Sequence, residues 1–238
     1  IRMCLDEPEL FKTQLRALLR AAMFGDVRIM LPLIVSLDEV RAARRLLMEA
    51  SDELTARGVE HRRDVPLGVM IETPAAAIGA DILAPEVAFF SIGTNDLVQY
   101  TLAVDRGNVN LASRFTPLHP AVLRLIRRTV QAGLAAGLDV AVCGEMASQP
   151  LMAFALIGLG VRQLSVGAQS VALVKRVIRG ISVDVARAAA EAAMLAGTAE
   201  EVEQVLRAAV RSAFGDAPFL RYGLPVKGDI DMFGDAGP

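Results

Sequence analysis

The sequence predicts an α/β fold, a (βα)8 TIM-type barrel lacking its first two to three βα units. Three observations predict it. Short apolar runs recur along the chain, and most are followed by a cap or a proline that starts a helix. Two of these runs stop at a carboxylate, Glu72 and Asp96, which places both acids at the same end of a parallel sheet. A composition of 53% hydrophobic residues without Trp suits strands buried on both faces and helices buried on one.

Taken in order, Ile1-Arg-Met-Cys-Leu5 reads as the tail of a strand. Asp6 then caps a helix with Pro8 in its first turn and Glu9 three residues on, turning Leu10, Leu15, Leu18 and Leu19 to the core before Gly25 ends it. A strand follows over 27–35. Ser36 and Glu39 form the next capping box, and the helix after it carries Val40, Leu46, Leu47 and Leu54 on one face up to Gly58. Residues 59–65 form a charged loop in which His61 reads as solvated. Further strands are predicted over 66–72, 87–93, 138–143 and 162–166, with helices over 74–84, 97–104, 120–136, 150–158 and 169–180. Two more helices follow, one capped by Ser182 and one by Thr198 with Glu201.

Beyond Phe214 the chain has no period and reads as irregular. The expected organisation is a partial barrel over 1–181, helices packed on it over 182–214 and a tail over 215–238. A closed barrel has eight units, against five complete ones and the end of a sixth strand here, so a chain that continues upstream is expected.

Composition also excludes partners. Arg, Asp and Glu interrupt every apolar stretch short of the ~20 residues that a spanning helix needs, so no membrane insertion is expected. A formal charge of −2 offers no basic face to a nucleic acid. Only Cys4 and Cys143 are present, too few for a disulfide framework, and no signal peptide opens the chain; the expected compartment is the cytosol.

Glu72 and Asp96 are the first candidates for chemistry. Thr73-Pro74 already supplies a cap and a first-turn proline, which leaves Glu72 without a structural task, whereas Asp96 could serve as a helix cap. Two carboxylates completed by substrate oxygens and water are a common way to hold Mg²⁺. Asn95 is a neutral donor suited to an anionic oxygen, and Arg106, on the loop Ala103-Val-Asp-Arg-Gly-Asn108, either grips an anion or pairs with Asp105 at the surface. Cys143 closes a strand and precedes Gly144, where a thiol could donate a proton or act as nucleophile; Cys4 lacks that setting and reads as core. His119, in a proline-fixed turn, has a minor supporting part, and Arg28 sits at the opposite, N-terminal end of its strand. No glycine-rich nucleotide loop follows a strand.

Four stretches together carry a resemblance: Gly-Val-Met-Ile-Glu-Thr-Pro-Ala-Ala (68–76), Phe-Phe-Ser-Ile-Gly-Thr-Asn-Asp-Leu (89–97), Gln-Tyr-Thr-Leu-Ala-Val-Asp-Arg-Gly-Asn (99–108) and Cys-Gly-Glu-Met-Ala (143–147). They resemble the C-terminal phosphoenolpyruvate-binding barrel of Enzyme I, the phosphoenolpyruvate-protein phosphotransferase of the bacterial sugar phosphotransferase system, over about residues 1–210. The resemblance implies that Glu72 and Asp96 ligate Mg²⁺, that Asn95 and Arg106 hold the phosphate with Gly93 and Thr94 beside them, and that Cys143 protonates the enolate of pyruvate. It implies further that the phosphoryl group passes to a histidine on a domain absent here, on its way to a histidine phosphocarrier protein and sugar uptake, and that the barrel forms a homodimer. The family's further phosphate-binding arginines lie upstream of Ile1, so this chain alone is expected not to turn over. A fragment of pyruvate phosphate dikinase or phosphoenolpyruvate synthase is the alternative within enzymes, and an inert oligomerisation piece the alternative outside them.

Overall fold

The computed structural model describes residues 1–214. The tail expected over 215–238 lies outside the described residues. Five strands lie side by side in chain order, every neighbouring pair parallel: β1 (Ile29–Leu31), β2 (Leu67–Ile71), β3 (Phe89–Gly93), β4 (Asp139–Cys143) and β5 (Gln163–Leu164). Helices link them, as parallel strands require: α1 (Arg2–Asp6) and α2 (Pro8–Ala21) before β1, then α3 (Leu37–Ala56) into β2. The short helices α4 (Pro74–Ile78) and α5 (Ala80–Leu83) lead to β3, α6 (Thr94–Leu102) and α7 (Pro120–Ala135) to β4, and α8 (Pro150–Gly158) to β5. After it come α9 (Val171–Gly180), α10 (Val183–Ala193) and α11 (Ala199–Phe214), with α10 packed on α8 and α11 on both. The fold is therefore the α/β, TIM-type arrangement that the alternation predicts. Among the described residues β1 and β5 are the sheet's two edges.

The two faces of the sheet differ by strand parity. Val69 and Ile71 of β2, Phe90 and Ile92 of β3, and Val140 and Val142 of β4 are buried in the layer between sheet and helices. In α7, Gly133 lets that helix approach Val140 and Phe90, since a Cβ there would collide with both side chains. The opposite face carries Met70, Ser91 and Ala141 in register, then Gly93 level with Cys143. Glu72, one residue past Ile71, has the parity of Met70 and so belongs to this second, polar face.

Several expectations need correction. Ile1 to Leu5 is not a strand tail: Arg2–Asp6 is helical, with Ile1 buried, Arg2 and Met3 exposed, and Cys4 and Leu5 half-buried. That spacing fits a helix face, and a run of five residues is too short to reveal it. Asp6 is no cap; Glu7 occupies the N-cap of α2 without a side-chain bond, and Leu10 is exposed while Phe11 is buried in its place. The helix expected over 74–84 breaks at Gly79 into two, and the one expected from 97 begins at Thr94. Strands β1 and β5 are shorter than predicted. Both later capping boxes form: Glu39 accepts from the N–H groups of Val35 and Ser36, and Glu201 from those of Gly197 and Thr198. No helix among the described residues is long and apolar enough to cross a membrane.

Candidate functional site

Glu72 leaves the end of β2 and is only 3% exposed. Its helix-starting neighbours are already satisfied, because the Thr73 hydroxyl accepts from Ala76 N–H at 3.1 Å and donates to the Ile34 carbonyl at 2.7 Å. The start of α4 therefore does not need the Glu72 carboxylate. Its Oε1 accepts one hydrogen bond, from Leu33 N–H at 2.7 Å, and Leu33 holds a left-handed backbone (φ 49°) that a leucine rarely adopts. Its Oε2 reaches across the end of β3: a Cβ on Gly93 would lie 2.7 Å from it. Glycine at 93 makes room for this carboxylate.

Asp96 stands in the first turn of α6, one strand over. Burial pushes the Glu72 carboxyl above the usual carboxylate range; the Leu33 N–H pulls it partly back, and the negative charge of Asp96 pushes it up again. Two acids in electrostatic contact, one of them buried, form a donor set that a hard divalent cation would neutralise. No group of three or more acidic, histidine or cysteine side chains placed to hold a metal ion is found among the described residues, so a cation here would take its remaining ligands from substrate and water.

Cys143 ends β4 level with Gly93. The Ser91 hydroxyl donates to its Sγ at 3.4 Å, and Sγ faces the Ile92 carbonyl at 3.6 Å. Thr94 is fully buried and donates to the Cys143 carbonyl at 3.1 Å. Asn95 Oδ1 accepts from Glu145 N–H at 3.1 Å, which fixes its amide so that the NH₂ remains to donate elsewhere. Gly144, between these contacts, has φ 103°, and a Cβ there would be 2.5 Å from Thr94 Oγ1.

Glu72, Asp96, Gly93, Thr94, Asn95 and Cys143 are therefore gathered around the C-terminal ends of β2, β3 and β4. Thr94 and Gly93 have structural tasks for their side-chain positions. Arg106 stands apart. It is exposed on the loop after α6, its own N–H bonded to Gln99 Oε1 at 3.2 Å. No Arg106–Asp105 ion pair forms among the described residues; the Asp105 carboxylate accepts from Gly107 N–H at 2.8 Å. Both histidines have structural partners: His119 caps α7 by accepting from Ala121 N–H, and His61 is half-buried rather than solvated, bonded to Ser51 Oγ at 2.8 Å and the Val59 carbonyl at 2.9 Å. Sequence reasoning missed the Leu33 N–H and the Ser91 hydroxyl. The first carried no signal, and the second sits inside an apolar strand at the parity of the polar face.

Comparison with known proteins places the chain in a family. The family model described as "PEP-utilising enzyme, PEP-binding domain" matches residues 1–183. The chain belongs to that family. Proteins named phosphoenolpyruvate-protein phosphotransferase are similar to it: that of Staphylococcus carnosus is 42% identical over 90% of this chain and 37% of its own length. That of Haemophilus influenzae is 42% identical over 87% and 36%, and that of Geobacillus stearothermophilus 44% over 85% and 35%. The chain thus spans about a third of the length of these curated relatives. Among solved structures a citrate lyase from Burkholderia xenovorans LB400 matches with a TM-score of 0.53 at 20% identity, covering 88% of this chain and 71% of that one, a likeness of fold alone. For a PEP-binding domain, the gathered carboxylates, amide and thiol form the candidate site.

Proposed function

We propose that this domain binds phosphoenolpyruvate together with Mg²⁺ and serves a phosphoenolpyruvate-protein phosphotransferase. The observation that carries the reading is the buried Glu72 carboxylate beside Asp96, at the same strand ends as the thiol of Cys143. Glu72 and Asp96 would hold the metal, which when bound supplies positive charge against the phosphate and the developing enolate. Asn95, its amide oriented by Glu145 N–H, directs an NH₂ donor at a phosphate oxygen, and Arg106 closes over the same group from its loop. In the reaction the P–O bond of phosphoenolpyruvate breaks and a P–N bond forms on a histidine of another domain. The enolate carbon left behind takes the proton of Cys143 Sγ, giving pyruvate and a thiolate.

The same reading assigns residues 1–181 to substrate binding and 182–214 to helices packed on that part. It places the whole protein in the cytoplasm as a homodimer that passes phosphate to a histidine phosphocarrier protein for sugar uptake. The relatives' shared name favours this role over a dikinase or synthase. Calorimetric titration of the chain with phosphoenolpyruvate in the presence of Mg²⁺ tests the binding step. Saturable heat that needs the metal and is lost in Glu72→Gln is expected; equal heat with and without Mg²⁺, or none, would overturn it.

A further inference from the structure

We infer that Thr94 is a positioning residue that fixes the thiol-bearing strand end to the anion-binding loop, an inference that deepens the reading above and rests on it for its meaning in catalysis. The donor of a proton and the donors to a phosphate stand on different elements, β4 and the start of α6. The Thr94 hydroxyl bonds the Cys143 carbonyl at the end of β4, and Asn95 Oδ1 takes the N–H of Glu145 in the turn just after it, over sequence separations of 49 and 50 residues. A third contact, Ser91 Oγ to Cys143 Sγ, holds the sulfur itself. Thr94 is fully buried, so its hydroxyl reaches no ligand, and its bond is satisfied inside the protein.

Gly144 completes the clasp. Its position in left-handed φ space and the proximity of Thr94 Oγ1 to any Cβ placed there mean that the hydroxyl occupies the space a side chain would fill. Thiol and amide therefore share one frame. A displacement of the start of α6 carries Cys143 with it, so the distance between the proton donor and the anion donors is set before any substrate arrives.

The test uses the reactivity of Cys143 and not turnover. In a Cys4→Ala background, Thr94→Val removes the hydroxyl at nearly constant volume, Thr94→Ser retains it, and Thr129→Val removes another fully buried hydroxyl that donates to the Leu125 carbonyl within α7, away from the site. Iodoacetamide should alkylate Cys143 about fivefold faster in Thr94→Val, the order of effect that one lost hydrogen bond supports, with the original rate in Thr94→Ser and in Thr129→Val. Melting temperatures measured in parallel separate loss of positioning from loss of stability. An unchanged rate in Thr94→Val, or an equal rise in Thr129→Val, would overturn the inference. Should Thr94→Val not fold, Thr94→Ala, which also removes the hydroxyl, takes its place: faster alkylation of Cys143 supports the clasp, and an unchanged rate refutes it. None of these readouts involves phosphoenolpyruvate or metal, so a failure here differs visibly from a failure of the calorimetric test.

Discussion

At the C-terminal ends of the strands, Glu72 is 3% exposed and pressed against Gly93 beside a second acid, whereas at the N-terminal ends Arg28 and Asp139 meet at 3.2 Å with side chains 50% and 53% exposed. Arg28 also lies over the Phe89 ring, 5.7 Å from its centroid. The lower pair is the conventional arrangement, opposite charges in water at little cost or gain. The upper pair is the reverse: like charges, one of them desolvated, with a strained Leu33 backbone supplying the single compensating N–H. A fold selected for stability alone has no reason to keep the upper arrangement, and this contrast is what favours the upper end as the proposed site.

The largest effect should come from filling the space around the upper end. Gly144→Ala meets both a left-handed φ and the Thr94 hydroxyl, and should cost on the order of 3 kcal/mol in urea unfolding. Gly137→Ala is the matched comparison, with φ 73° and nothing within 4 Å of an added Cβ, and should cost roughly 1 kcal/mol from the backbone alone. Equal losses in the two variants would mean that the clasp around Gly144 is loose, and would weaken the contrast between the two ends of the sheet.

The next effect is electrostatic and depends on pH. Because burial and Asp96 raise the folded-state affinity of Glu72 for its proton, the folded protein holds that proton to higher pH than the unfolded chain does. Stability from this group is full below the ordinary glutamate range and declines as pH rises through the raised folded value. Glu72→Gln should therefore gain stability relative to the unmodified chain as pH rises to neutral without Mg²⁺, and be equal to it or slightly weaker at low pH, where the Leu33 N–H bond still counts. Unfolding curves at a series of pH values check this, and a variant less stable at every pH would refute it. Added Mg²⁺ should stabilise the unmodified chain and leave Glu72→Gln unmoved.

What the sequence makes legible here follows the distance over which each feature is determined. Thr73 and Pro74 could be read locally as the helix start, and the hydrogen bonds of Thr73 bear that out; the bond that Glu72 itself makes, to Leu33 N–H, could not be read. The Ser36/Glu39 and Thr198/Glu201 caps are equally local and form as expected. The partners of the upper site are not local. Leu33 N–H finds Glu72 across 39 residues, and Thr94 finds Cys143 across 49, contacts that strand order alone brings about. Gly93 and Thr94 read as ligand-side residues because their motif is recognisable, while their packing tasks depend on Glu72 and Cys143 arriving from neighbouring strands. At the N-terminus the difficulty is different: five residues fit a strand or a helix equally, and the burial of Ile1 with Cys4 and Leu5 half-buried shows the helical spacing only once the fold is formed.

The smallest effect belongs to the lower end and calibrates the others. Arg28→Ala removes an exposed ion pair and a stacking contact with Phe89, together worth less than about 1 kcal/mol, and most of the ionic part should vanish when unfolding is repeated at high salt. The Phe89 ring covers Gly68, where a Cβ would fall 2.5 Å from it, so the ring keeps its seat on β2 without the guanidinium above. A loss well beyond that size would mean that Arg28 organises the sheet from below, and charge at the two ends would then differ in sign and exposure but not in importance.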